Sequence, residues 1–522
     1  MAYDCADDMV MGTAKHPVTY GFGLKIGAGY VIPEINYAPR PGTEKDPERL
    51  RKEYVDYITK DILDRAITVG FPNVQLETEW VSQMNQAKLS APVVAGQEEL
   101  CEKYHEEYGV NCGTRQTIPD QREADHGLRP GMDVAHSYPE KFFECCDIAC
   151  ENGCDNLSVE SVGGKEFADY AVTNGDIVAF LFGVGYLGSI DMTWVWEQMV
   201  DIAKRNHCTP GGDTNCSGAN VSMFMAGGMM DQDVQRTFSA VTRAISAART
   251  LCAWECGALG PDKDCGYEGP IVKSIAGKPT TQEGKNCQCA HCDLQGNLIA
   301  QCCDLWSNES VEYHPEFGGT SVQCWFGSIG YEAALMNTAI QLKQEKTLRD
   351  LYMYTDRYRG PEGYILAYDH AWEIGKAISE YGDDLYLRSR AAGLKAAEIL
   401  LKGYESKELG LTAKQLDTLQ DINKKLIASS TIFQMMIDAD TDNAKCLALA
   451  DAEVAELEVG AGAKVTKALV KDLKFSRDMT IAGMVRNGKG QLVNGDTRLM
   501  AGDRVVVFCL SGAIHKIERM FG

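Results

Sequence analysis

Short runs of strand-like residues and amphipathic stretches alternate along the first 420 residues. NVQLETE (73–79), VNCGTRQTI (110–118), NLSVESV (156–162), TPGGDTN (209–215) and LCAWECG (251–257) each predict a strand ending in a polar or Gly-rich turn. Between them, PERLRKEYVDYITKDILDRAITVG (47–70) and DVQRTFSAVTRAISAA (233–248) place apolar residues three and four apart, which predicts helices with one buried face. Strand, loop and helix in repetition predict a parallel α/β fold. At this length a closed (β/α)8 TIM barrel leads, with an open doubly wound sheet as the alternative.

Composition divides the chain. Residues 422–522 hold 14 Lys+Arg and 12 Asp+Glu, whereas the whole chain carries a net charge of −23. All seven Trp, all 22 Tyr and 18 of the 20 Cys also precede residue 422. The expected domains are therefore an acidic body, 1–421, and a small α+β tail, 422–522. So acidic a chain argues against nucleic acid and anionic membrane as partners. The start, MAYDCADDMVMG, lacks the layout of a signal peptide, and the longest apolar run, IVAFLFGVGYLGSI (177–190), is too short to span a bilayer. The expected location is cytoplasmic, where 20 cysteines are reduced thiols or metal ligands, a composition that suits an anaerobe.

Four signals compete for the chemistry. GVGYLG (183–188) is a formal G-x-G-x-x-G, the basis of a rival reading as an NAD-dependent oxidoreductase. NCQCAHC (286–292) with Cys302 and Cys303 reads either as a zinc knuckle of irregular spacing or as reduced thiols lining a loop. Cys146, Cys150 and Cys154 fall on one helical face, which marks core. The fourth signal is dispersed. Glu160, Cys216 and Cys265 each follow a predicted strand, at the end where a barrel gathers its active site. Two thiolates and a carboxylate make a three-ligand zinc site with its fourth position open, the catalytic type. Cys265 itself sits in GPDKDCGYEG (260–269), which reads as an exposed turn.

GLKIGAGYVIPEINYAPRP (23–41), LSVESVGGKEFADYAV (157–172), GDTNCSGAN (212–220), GPDKDCGYE (260–268) and CCDLWSNESVEYHPEFGGTSVQCW (302–325) resemble the zinc subunit of methanol:corrinoid methyltransferases, over about residues 3–420. The resemblance implies a TIM barrel whose Zn2+ is held by a Glu and two Cys, falling on Glu160, Cys216 and Cys265. It also implies methanol as substrate, and a homo- or hetero-oligomer with a separate corrinoid-carrying protein whose Co(I) takes the methyl group. Asp213, three residues before Cys216, and Glu77 or Glu79, ending an early strand, are candidates for orienting the methanol hydroxyl. For each, capping or packing the loop is the competing role.

The tail AEVAELEVGAGAKVTKALVKDLKFSRDMTIAGMVRNGKGQLVNGDTRLMAGDRVVVFCLSGAIHKIERMF (452–521) predicts short strands, tight turns and a closing amphipathic helix. It resembles the C-terminal regulatory module of Trk-type potassium-uptake proteins, and 421–446 resembles the end of that family's preceding region. A ligand-sensing fusion, in which the tail carries the function, is the rival of a different class.

Overall fold

The structure is a computed structural model describing residues 1–80, 82–120, 139–228, 234–287, 289, 291–312, 318–438, 445–447, 452–473, 475, 479–486, 489–510 and 520–521. An antiparallel hairpin of β1 (Thr13–Tyr20) and β2 (Leu24–Ala28) comes first. Seven strands then form one parallel sheet: β3 (Ile32–Ala38), β4 (Asn73–Glu79), β5 (Asn111–Pro119), β6 (Asn156–Glu160), β7 (Thr209–Pro210), β8 (Thr281–Glu283) and β9 (Leu305–Val311). Their order is β7-β6-β5-β4-β3-β9-β8. The hairpin packs Val18, Tyr20, Leu24 and Ile26 against Ile32 and Leu305, the first residues of β3 and β9, and so covers the end where the strands begin.

The outer strands β7 and β8 are joined by the segment 258–262. The amide of Leu259 donates to the Pro210 carbonyl (2.8 Å) and that of Gly260 to Gly211 (3.2 Å). On the other side Asp262 donates to the Pro279 carbonyl (3.3 Å). Arg115 of β5 crosses the interior to reinforce this closure. It donates to the Asp262 carbonyl at 2.6 Å and to Thr281 Oγ1 at 2.7 Å, and pairs with Glu34 at 2.9 Å. A buried guanidinium is tolerated there because a carboxylate and two oxygens replace its water. The sheet thus curls into the expected TIM barrel.

Two strand expectations are corrected. LCAWECG (251–257) is not a strand but mostly the last turns of the helix Arg236–Cys256, which Gly257 ends with φ +110°. Every residue from Thr237 to Trp254 is buried, so the helix has no solvent-facing side to show its period. TPGGDTN is strand only at Thr209–Pro210. GVGYLG lies inside a continuous helical stretch, 177–205, with no strand before it. A dinucleotide site needs a strand-turn-helix, so the motif has no phosphate-binding geometry. Its glycines serve close packing: a Cβ on Gly183 would lie 2.3 Å from Phe167 Cβ, and one on Gly185 2.8 Å from Ser389 Cβ. This is the one helix found with the length and apolarity to cross a membrane among the described residues, and 67% of its apolar window is buried in protein.

The chain separates into two compact units, Met1–Asn423 and Lys424–Gly522. The second is an antiparallel sheet of β10 (Lys445–Leu447), β11 (Ala452–Glu458), β12 (Met479–Arg486), β13 (Lys489–Leu492) and β14 (Arg504–Leu510), in the order β10-β11-β14-β12-β13. Leu457, Val459, Val465, Met484, Leu499, Val505, Val507 and Phe521 make its core. Most of the predicted closing helix lies outside the described residues.

Candidate metal centre

Glu160, Cys216 and Cys265 meet at the mouth of the barrel. One ligand atom from each lies within 4.8 Å of the others, and Cys265 Sγ is 2.9 Å from Glu160 Oε1. Glu160 is the last residue of β6, Cys216 opens the helical turn after β7, and Cys265 follows the closing segment. Gly212 permits the last two to approach, because a Cβ there would lie 2.4 Å from Asp262 Cα. The loop around Cys265 is not the exposed turn its composition suggests. Pro261, Asp262, Lys263, Asp264 and Cys265 are all buried. Its acids bond within the fold: Asp264 accepts from the Cys265 amide, and Asp262 Oδ1 from that of Thr281, while Asp262 Oδ2 is buried with no partner among the described residues.

The helix Arg236–Cys256 holds all three ligand-bearing loops. Arg249 donates to the Ser161 carbonyl (2.8 Å) and hydroxyl (2.7 Å), next to Glu160. Ser246 donates to Asn215 Oδ1 at 3.2 Å, next to Cys216. Thr250 donates to Glu268 at 2.7 Å, and Arg243 pairs with the same carboxylate, three residues past Cys265. Residues 243, 246, 249 and 250 share one helical face. That polar stripe is the sequence signal that marks the scaffold.

Acids crowd the mouth around Lys263, and the Arg115 guanidinium also lowers Glu77 and Asp264. Lys263 Nζ lies 2.6 Å from Asp264, 2.8 Å from Glu77 and 3.6 Å from Glu160. Burial opposes its charge, but Asp264, Glu77, Glu79 and Glu160 together hold it well above the ordinary lysine range. Against the effect of burial, Lys263 keeps Asp264 down at about 2. Glu77 is pushed up to about 7 by burial and Asp264, despite Lys263. Glu79 is pulled down by Lys263, yet burial and the charges of Glu160, Glu309 and Asp264 raise it to about 8. Burial, the Cys216 thiol and the Glu160 charge push the Cys265 thiol well up. Cys216 is lowered by its contact with Cys265, but burial and Glu160 leave it raised. These upward shifts mark a negative potential at the mouth, which a divalent cation among these ligands would relieve.

The three candidate acids have different surroundings. Asp213 is fully buried and accepts from the Ser161 amide (3.0 Å) and hydroxyl (2.6 Å), Trp196 Nε1 (2.9 Å) and the Thr214 amide (2.7 Å). Glu77 accepts from Thr117 and pairs with Lys263. Glu79 is half-buried and shares Asn36 Nδ2 with Asp264, at 3.3 Å to each. Lys263, Asp264, Asn36 and Glu309 were not legible as site residues; for Lys263 and Asp264 the signal was their adjacency to Cys265.

The NCQCAHC thiols also gather. Cys287 Sγ is 2.6 Å from Cys292 Sγ, Cys289 lies 2.7 Å from Glu309 Oε2, and Glu283, Cys287 and Cys289 offer atoms within 4.8 Å of one another. They adjoin the triad through Glu283, which groups with Asp264 and Cys265. Cys302 stands apart, against the Met9 carbonyl.

Comparison with known proteins completes the picture. The TrkA-C domain family matches residues 454–522. A Trk system potassium uptake protein TrkA homologue from Archaeoglobus fulgidus is 34% identical over 70 residues, 13% of this chain and 16% of that protein. The methanol-cobalamin methyltransferase B subunit family, MtaB, matches residues 1–454, so 421–446 falls within that match. A methanol–corrinoid protein co-methyltransferase of Methanosarcina barkeri is 49% identical over 431 residues, covering 81% of this chain and 92% of that one. The crystal structure of the methanol:cobalamin methyltransferase complex MtaBC from the same organism superposes with a TM-score of 0.78 at 47% identity, over 84% of this chain and 96% of the other. The barrel, its mouth and these likenesses together place the chain in the methanol-cobalamin methyltransferase B subunit family.

Proposed function

We propose that this chain transfers the methyl group of methanol to the cobalt of a corrinoid carried by a partner protein, using a catalytic Zn2+ held by Glu160, Cys216 and Cys265. The convergence of two thiols and one carboxylate within 4.8 Å at the barrel mouth carries this reading. The donor set suits the ion, since zinc takes thiolate sulfur and carboxylate oxygen, and three protein ligands leave a position for substrate. When bound, zinc supplies the Lewis acidity that draws charge from the methanol C–O bond.

The chain's own groups do the rest. Two thiolates and Glu160 carry three negative charges, and Lys263 offsets part of the excess from 3.6 Å. Asp213 has its oxygens occupied by four donors, so its role is to fix the turn before Cys216. Glu79 is the acid that orients the hydroxyl, because it is half-buried and has acceptor capacity beyond its one long bond to Asn36. The methyl carbon would face the open mouth toward the partner's Co(I): a Co–C bond would form with the electron pair of Co(I), the C–O bond would break, and the oxygen would take up one proton and leave as water. Residues 1–421 constitute the catalytic body and 422–522 a regulatory-type appendage. We place the reaction in the cytoplasm, where these thiols stay reduced.

The test is metal content against activity. Cys216→Ala and Cys265→Ala are expected to lose one zinc per chain and all methyl transfer while remaining folded. Cys289→Ala and Cys292→Ala are expected to keep both. Zinc lost from the 289 and 292 variants but kept in Cys265→Ala overturns the assignment.

A further inference from the structure

A second set of three cysteine sulfurs converges at the other end of the barrel. Cys150 lies in the last turn of the helix Pro139–Glu151, Cys154 in the turn entering β6, and Cys208 immediately before β7. β6 and β7 run parallel, so these residues mark where the strands begin, whereas Glu160 and Cys216 lie at or beyond their ends. At 3.3 Å per residue the six residues from Cys154 to Glu160 span about 20 Å. The two sets are separate sites.

Helical spacing accounts for Cys150 and its neighbour Cys146 facing the core, but not for Cys208, which joins from a distant part of the sequence. The three sulfurs lie within 4.8 Å of one another, Cys208 Sγ is 3.6 Å from Cys154 Sγ, and all three are free and buried. A Zn–S bond of 2.3 Å in tetrahedral geometry separates ligand sulfurs by about 3.8 Å. The Cys154–Cys208 edge, at 3.6 Å, is of that size, and the other two edges lie within 4.8 Å. Hydrophobic packing requires no such mutual approach of three sulfurs from two distant chain segments.

We propose that Cys150, Cys154 and Cys208 bind a soft thiophilic d10 cation, with Zn2+ the first choice, as a site distinct from the methyl-transfer centre. Three S–H bonds break, three metal–sulfur bonds form, and three protons pass to solvent. The ion ties the helix Pro139–Glu151 to the entrances of β6 and β7. Its affinity comes from soft thiolate ligands, so it favours zinc or copper(I) over magnesium or calcium.

The test counts zinc in the full chain after anaerobic loading with Zn2+ and removal of the excess. The expected result is two zinc ions per chain, and one in Cys208→Ala, which keeps its methanol-dependent methyl transfer. Cys265→Ala is also expected to hold one, but without methyl transfer. One zinc per chain, removed by Cys265→Ala and spared by Cys208→Ala, overturns the proposal. Alkylation mapping of the unaltered chain gives the same answer without a variant. Zinc is expected to protect Cys150, Cys154 and Cys208 from N-ethylmaleimide, and labelling there that zinc leaves unchanged overturns the proposal.

Discussion

In the proposed metal triad Glu160, at the tip of β6, would contribute charge, while Ser161 and Asp213 hold the backbone beside it. Glu160→Gln preserves size and loses charge, so it is expected to retain part of its zinc at much lower turnover, read by metal analysis and initial rates. The two thiols add a pH dependence of defined sign. Both stand above the ordinary cysteine range when no cation is present, so each must lose a proton to ligate. Zinc affinity is therefore expected to fall as pH falls, measured as zinc released to a competing chelator between pH 8 and about pH 6. Zinc retention that is flat with pH contradicts thiolate ligation. Cys265 stands out in the sequence because it is alone among turn residues, and the fold brings it within 4.8 Å of Glu160 and Cys216. Its burial was not, because composition gives no sign that Lys263 and Asp264 neutralise each other inside the fold.

Among the elements, the strands with period-two patterns were legible: β4 lies where NVQLETE predicts, and β5 and β6 within two residues of their predicted bounds. The closing segment 258–262 was not, because it joins its neighbours by a few hydrogen bonds and has no strand pattern. The helix bearing GVGYLG offers a test of packing. An alanine at 185 puts a Cβ 2.8 Å from Ser389 Cβ and 3.2 Å from Ile245 Cγ2. Overpacking of this kind costs about 1–3 kcal/mol, against roughly 1 kcal/mol recovered in helix propensity. Gly185→Ala is therefore expected to lower the melting temperature, and millimolar NAD is expected to leave the parent's unchanged. A reproducible rise with NAD would restore the dinucleotide reading.

In the tail, Asp503 joins β12 to the turn before β14 by accepting from Arg486 Nε at 2.7 Å and Nη2 at 2.6 Å and from the Met500 amide at 2.7 Å. Arg486 holds the Asp503 carboxyl below its ordinary value. A depressed carboxyl stabilises the fold above its unfolded pKa of about 3.9, and that stability is lost as pH falls through the folded value. Protection factors for amide exchange across β12 and β14 are accordingly expected to fall below about pH 4. Asp503→Asn is expected to be less protected at neutral pH, by about 1–3 kcal/mol, and to lack the acid-dependent part. Equal protection in both proteins across this range would remove the pair from the tail's stability.

For the whole molecule, a deeply acidic catalytic body is joined to a nearly charge-balanced sheet domain. The barrel was legible in its alternating pattern, but the scaffold of the mouth was not. The buried polar stripe of the helix Arg236–Cys256 becomes meaningful only when Ser161, Asn215 and Glu268 arrive from three separate loops. Methyl transfer from methanol is the activity on which every proposed role of the mouth depends. Under anaerobic conditions, the full chain is mixed with Co(I) cobalamin and methanol, and the absorbance of methylcobalamin is followed. The account predicts methylcobalamin formation that requires methanol, stops on removal of zinc by a chelator and returns when Zn2+ is restored. A folded, zinc-loaded chain that forms none, or a rate that survives both chelation and Cys265→Ala, would contradict it.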